Sequence, residues 1–179
     1  MRTRFSLGQN KDALRKQATQ LSRAALTDAL TGLSNRRFLE EGLPHLHTQA
    51  RAAGRPFHVA ILDIDHFSHA CGDAVLREVA ALMTRHARGS DICARYGGEE
   101  FVLILPGANA DAAQLACERH RRAIDLHDWR PLHPDLRVTV SIGVADAVPH
   151  DAVSDALAVA DARLYAAKRG GRNRVIATG

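Results

Sequence analysis

The chain has 179 residues, 46% of them apolar and 25% charged, with a formal net charge of +4. That length supports one ordinary domain with a real core. No window approaches the roughly 18 uninterrupted apolar residues of a membrane span, and "MRTRFSLGQNKD" at the start lacks the apolar stretch of a secretory signal. A cytoplasmic protein is therefore the default expectation. Aromatic residues are only 4%, and cations concentrate in "KRGGRNR" at 168–174. This pattern favours a local anion site, such as one for a small polyphosphate, over a broad nucleic-acid face. Cys71, Cys93 and Cys117 lie far apart with no CxxC pair, so free, mostly buried thiols are expected rather than disulfides or zinc. The densest histidine group, "HLH" at 45–47, has no evident third ligand.

In chain order, residues 11–26 read as a helix, with Leu14, Ala18, Leu21 and Ala25 at spacings of three or four. Such a helix suits either a packed N-terminal segment or the stub of a coiled coil. Thr27 or Asp28 can cap a turn that Gly32 breaks; Ser34 or Asn35 then caps a helix running to about residue 52. "FHVAILDID" at 57–65 reads as a buried strand ending in two acids. "GDAVLREVAALMTRHAR" is an amphipathic helix whose stripe is Val75, Leu76, Val79, Leu82 and Met83. "DICARY" and "FVLILP" flank Gly97-Gly98-Glu99-Glu100 as a hairpin. A helix follows over 110–127, a strand over 136–146, a helix over 153–169 stopped by Gly170-Gly171, and a short strand in "NRVIA". The alternation, with one tight hairpin inside it, predicts an α/β fold: a mixed central β-sheet covered by helices.

A carboxylate at the end of a buried strand is costly unless paired or metal-bound. If the hairpin lies beside the 57–63 strand, Asp63 and one of the two glutamates converge. Two or three such oxygens suit Mg²⁺, which takes few carboxylates and shares its sphere with water and phosphates. Solvated strand-end and turn acids are the other reading. The glycines of the turn either supply positive φ or let a bulky ligand approach. Lys168 and Arg172 could reach a polyphosphate; equally, they could be cations complementing a helix C-terminus.

Six ordered blocks carry a resemblance: "DALTGLSNRR" at 28–37, "LDIDHF" at 62–67, "GDAVL" at 72–76, "RYGGEEF" at 95–101, "VTVSIGVA" at 138–145 and "ADARLYAAKRGGRNRV" at 160–175. The chain resembles the GGDEF family of diguanylate cyclases over about residues 27–177. The resemblance implies a nucleotidyl cyclase/palm-like βααββαβ fold, with residues 1–26 as an N-terminal signalling or dimerisation helix and 27–179 as the GGDEF domain. It implies condensation of two GTP into cyclic di-GMP with release of two pyrophosphates, dependent on Mg²⁺ (or Mn²⁺). Asp63, Glu99 and the carbonyl of Ile64 would hold the metal, with Glu100 assisting near the 3′-hydroxyl. The amides of His66 and Phe67 would cradle phosphates, and Lys168 and Arg172 would bind the terminal ones. Asp73 would bond the guanine edge, while Gly97 and Gly98 would leave room for the nucleotide. Two domains would face each other as a homodimer. Arg88 and Asp91 of "RGSD" stand where the family places its RxxD product-inhibition site.

The pattern departs from the family in one place. After "LDIDHF" the text "SHACGDAVL" is several residues shorter than usual, and the asparagine that would read guanine beside Asp73 has no counterpart. This leaves an alternative: a catalytically weak or inactive module that binds GTP or cyclic di-GMP as a sensor. No nucleic-acid motif beyond charge is present.

Overall fold

Every residue of "FHVAILDI" is buried, and that follows from its place at the centre of a sheet covered on both faces. The computed structural model describes residues 25–67 and 72–178. Its elements, in order, are α1 (Arg36–Glu41), α2 (Leu43–Ala52), β1 (Phe57–Ile64), α3 (Gly72–His86), β2 (Ile92–Gly97), β3 (Glu100–Pro106), α4 (Ala110–Asp125), β4 (Val140–Asp146), α5 (Val153–Arg169) and β5 (Val175–Ile176). The helix expected over 11–26 lies almost wholly outside the described residues, as do Cys71 and the rest of 68–71.

The sheet order is β2-β3-β1-β4-β5. β1 runs antiparallel to β3 and β4, β2 antiparallel to β3, and β5 parallel to β4. The mixed sheet expected from the alternation of elements is thus present. Alternation along β1 divides the core. Ala60, Leu62 and Ile64 pack with α3 and α4, through Val75, Leu76, Val79, Leu82, Met83 and others. Phe57, Val59 and Ile61 face α1, α2 and α5, through Leu39, Leu43, Ala156, Ala160 and Leu164.

Three boundaries differ from the sequence expectation. The single helix from Ser34 or Asn35 to about 52 is two helices broken at Gly42. Asn35 is the cap, its side chain accepting from the Phe38 amide at 3.0 Å. Pro44 lies in the first turn of α2. A proline there has no N–H to offer the preceding helix, and its ring crowds the carbonyl four residues back, so α1 must stop. The strand expected from 136 starts at Val140, because its partner β1 ends at Ile64, which pairs with Val140. The helix expected to reach 127 ends at Asp125.

The other local expectations hold. Asp28 caps its turn by accepting from the Thr31 amide at 2.9 Å and the Thr31 hydroxyl at 2.7 Å, and Gly32 takes φ 75°. Cys93 and Cys117 are free; burial pushes the Cys93 thiol up to about 12 and raises Cys117 as well. In the "HLH" group, His47 is buried and its Nε2 contacts the Ala147 carbonyl at 2.7 Å, a packing role. Among the described residues no helix is long and apolar enough to cross a membrane.

Candidate active site

The site forms where β1 and β3 run out together. Period two puts Asp63 on the face of Val59 and Ile61, under α5. Glu100, two residues before Val102 on β3, shares that face. The two acids are register partners, Asp63 opposite Glu100. Side chains directly opposite each other have Cβ atoms about 4.5–5.5 Å apart, so the carboxylates are neighbours. Of the two glutamates, Glu100 is the one that pairs with Asp63 in the ladder. Glu99 meets the end of β1 through its backbone, its carbonyl accepting from the Ile64 amide at 3.3 Å.

A cation reaches the acids from α5. Leu164 faces the sheet, and Lys168 lies one turn further on, at the level of the end of β1. Its Nζ stands 2.8 Å from Asp63 Oδ1. Burial pushes the Asp63 carboxyl above its ordinary value, Lys168 pulls it back, and Asp65 pushes it up again. Burial also raises Glu100, helped by the negative charges of Asp63 and Asp161. One ammonium therefore does not neutralise the acids.

That surplus of negative charge fits a divalent cation. Among the described residues no three His, Cys, Asp or Glu side chains converge into a cage. Mg²⁺ does not require one, since it binds through one or two carboxylates and completes its sphere with water and substrate phosphates. The Glu99 carbonyl and the Ile64 amide meet one residue along the strand from Asp63.

The glycine turn is held from outside. Gly98 takes φ 49°, which costs glycine nothing. A methyl group on either Gly97 or Gly98 would meet nothing within 4 Å, so the space above the turn is open. Arg95 donates twice to the Gly98 carbonyl, at 3.1 Å from Nε and 2.8 Å from Nη2. Its Nη1 also reaches both oxygens of Asp28 at 3.3 Å. A β-bulge between Arg95 and Gly97 gives the local twist. The Asp28 segment is stitched to the same strand, with the Arg95 amide donating to the Ser34 carbonyl at 2.8 Å.

Two of the expected phosphate-binding residues, His66 and Arg172, lie in unusual backbone. Among the described non-glycine residues, only His66 (φ 53°), Arg172 (φ 63°) and Asn173 (φ 44°) have positive φ. Such conformations cost on the order of 1–3 kcal/mol each and persist only where the surroundings impose them. His66 follows Asp65 at the end of β1, and Phe67 comes next, half-buried. Asp65 itself is past the strand end and is a structural acceptor. It takes hydrogen bonds from Thr139 Oγ1 (2.7 Å), Ser141 Oγ (2.6 Å) and the Asn173 amide (3.0 Å).

Three expected residues stand apart from this cluster. Asp73 is exposed in the first turn of α3. Arg88 and Asp91 form a turn before β2, with the Arg88 amide donating to Asp91 Oδ2 at 2.8 Å and the Asp91 amide to the Arg88 carbonyl at 3.0 Å. The Arg88 residue is exposed, whereas the Asp91 side chain is nearly buried and has Arg119 Nη2 at 4.0 Å. The sequence reading did not single out Arg95 or Arg119, and it named Asp28 only as a turn cap. Arg95 carried a signal, since an arginine two residues before a glycine turn can reach back to its carbonyls. Arg119 had none, because its partner is distant in sequence.

The profile described as "Diguanylate cyclase, GGDEF domain" matches residues 25–174. The chain belongs to the GGDEF family. The chain is 36% identical to the diguanylate cyclase DgcP of Pseudomonas aeruginosa, covering 95% of this chain and 26% of that protein. It is 38% identical to the response regulator PleD of Caulobacter vibrioides, covering 98% and 41% respectively. It thus spans well under half the length of these relatives. Among solved structures, the coiled coil and GGDEF domain of DgcB from Caulobacter crescentus, in complex with c-di-GMP, superposes with a TM-score of 0.84. That pair shares 34% identity, covering 96% of each chain. The P. aeruginosa diguanylate cyclase SiaD, in complex with its activator SiaC, gives 0.82 at 34% identity, covering 97% of this chain and 69% of that one.

Proposed function

We propose that this chain is a diguanylate cyclase module that joins two GTP molecules into cyclic di-GMP. The carrying observation is the pairing of Asp63 with Glu100 under Lys168, beside an open glycine turn, in a GGDEF-family chain. The likeness to DgcB with bound c-di-GMP and to proteins named diguanylate cyclases supports this reading.

The 3′-hydroxyl oxygen of one GTP attacks the α-phosphorus of the other. The bond to the bridging oxygen breaks and pyrophosphate leaves; the reciprocal attack closes the ring. Each module holds one nucleotide, so two modules face each other as a homodimer. Residues 27–179 form the catalytic domain, and 1–26 join it to its dimer partner or a signalling segment. Asp63, Glu99 and the Ile64 carbonyl hold Mg²⁺ or Mn²⁺, which supplies charge stabilisation on the phosphates. Glu100 lies by the attacking hydroxyl, where its raised affinity for a proton suits accepting one. The amides of His66 and Phe67 cradle phosphate oxygens, and Lys168 and Arg172 bind the terminal phosphates. Asp73 bonds the guanine edge, and Gly97 and Gly98 leave the nucleotide its space. Positioning and electrostatics carry most of the rate. At a second site, Arg88 and Asp91, backed by Arg119, bind the product and inhibit.

The test is incubation of the purified protein with GTP and Mg²⁺, with chromatography of the products. Cyclic di-GMP forms, EDTA stops it, and Glu99→Ala abolishes it without lowering the melting temperature. A folded, dimeric protein that makes none would overturn the proposal.

A further inference from the structure

The run Gly171, Arg172, Asn173 takes three positive φ values in succession: 114°, 63° and 44°. Glycine adopts these freely and asparagine tolerates them, but arginine does not favour them. Something must therefore hold Arg172 there. The restraints are visible and come from three places: the end of β1, α4 and β4. At the backbone, the Asn173 amide donates to Asp65 Oδ2 at 3.0 Å, and Asp65 is itself fixed by Thr139 and Ser141. At the side chain, Asn173 Oδ1 accepts from Arg121 Nη1 at 2.7 Å, while its Nδ2 donates to Asp125 Oδ2 at 3.1 Å. Arg121 is locked on α4 by Glu118 at 2.9 Å and Asp125 at 3.4 Å. On the far side, the Ile142 amide donates to the Arg174 carbonyl at 2.9 Å, tying the end of the turn to β4.

We propose that Asp65, Asn173, Arg121 and Asp125 are positioning residues that impose the left-handed turn and thereby aim Arg172 at the nucleotide's phosphates. None of the four touches the reacting atoms. They act through Arg172, so this inference rests on the reading of Arg172 as a phosphate ligand. The logic is preorganisation of the backbone: an exposed arginine carried on a turn already fixed before binding loses less freedom on binding than one on a relaxed loop. Asp65 sits two residues after Asp63, so one strand end fixes both the acid that meets Lys168 and the turn that bears Arg172.

The experiment compares wild type with Asn173→Ala, Arg121→Ala and Arg121→Lys. Three quantities are measured: kcat and KM for GTP with Mg²⁺, the Kd of the non-hydrolysable α,β-methylene analogue of GTP by calorimetry, and Tm. Removing charge-assisted hydrogen bonds of this kind should raise Kd and KM about 10-fold or more. The change in kcat should be smaller, and Arg121→Lys should recover most of the loss. Should either alanine variant fold poorly, Asn173→Gly removes the side-chain tether while easing the backbone, and the same rise in Kd is expected. Kd values within about two-fold of wild type in the folded variants would overturn the inference. So would a fall in Tm with unchanged affinity, which is what a purely structural network gives. The two readings separate cleanly. A wild type that binds the analogue but makes no cyclic di-GMP sinks the cyclase reading alone, and the analogue affinities still decide the tether. An active wild type with insensitive variants sinks the tether alone.

Discussion

Gly143→Ala tests how closely the fold and the site are joined. Gly143 is in β4, opposite Ile61, and faces α5. A methyl carbon built there overlaps the Ala160 carbonyl oxygen and the Leu164 amide nitrogen, and lies 3.0 Å from the Arg163 carbonyl carbon. Those are backbone atoms of a helix and cannot rotate aside. Ordinary carbon contacts lie at about 3.5–4.0 Å, so α5 must retreat by about 1 Å or more. Overpacking typically costs about 1–3 kcal/mol, and the upper end applies where only backbone can yield. For a domain of this size, each kcal/mol shifts Tm by about 2–4 °C, so a drop of roughly 6–12 °C is expected. The same retreat carries Lys168 away from Asp63, a contact now at 2.8 Å, so GTP turnover should fall even well below Tm. Differential scanning calorimetry and a pyrophosphate-release assay read the two effects. Gly89→Ala is the control, because a methyl there meets nothing within 4 Å. An unchanged Tm and turnover in Gly143→Ala would refute the argument that β4 and α5 are packed backbone to backbone.

The other predictions concern the site and its surroundings. Asp63→Asn should reduce cyclic di-GMP formation by at least about 10²-fold, read by chromatography, because it removes charge from the proposed divalent-cation site. Arg95→Ala should lower kcat on the order of 10-fold or more, because a displaced glycine turn misplaces Glu99; equal kcat would show that the turn holds itself. Arg88→Ala should raise the concentration of cyclic di-GMP needed for inhibition, measured by product titration. His120 supplies a pH prediction. It is buried, neither ring nitrogen has a hydrogen-bond partner among the described residues, and burial lowers it to about 4, with Arg119 and His86 adding to the effect. A histidine that titrates lower when folded supports the fold above its ordinary value of 6.5 and loses that support as pH falls toward 4. The loss amounts to about 3 kcal/mol. Urea midpoints measured across that range should fall in wild type and flatten in His120→Leu; parallel curves would exclude His120 as the cause.

Much of the fold was legible because its signals are local. The 153–169 helix, the hairpin flanking Gly97–Glu100 and the stripe of α3 each declare themselves through periodicity within one segment. The errors came where a neighbour decides. Gly42 with Pro44 splits a helix whose apolar spacing looks continuous, and β4 begins at Val140 because β1 offers no partner beyond Ile64. In the site, Asp63 and the glycine turn were legible by residue type and position. Which glutamate sits opposite Asp63 was not, because a one-residue change of register would exchange Glu99 for Glu100.

By itself, then, the amino-acid order determined most of the elements, the family and the acids and cations proposed to bear the chemistry, since each is encoded within a few residues. Only the tertiary structure decided which of them meet. Asp28 finds Arg95, Asp65 finds Asn173, and Lys168 finds Asp63 across separations of 67, 108 and 105 residues. Such pairings depend on strand order and register. Those are set by burial of the whole core, not by any stretch short enough to read alone.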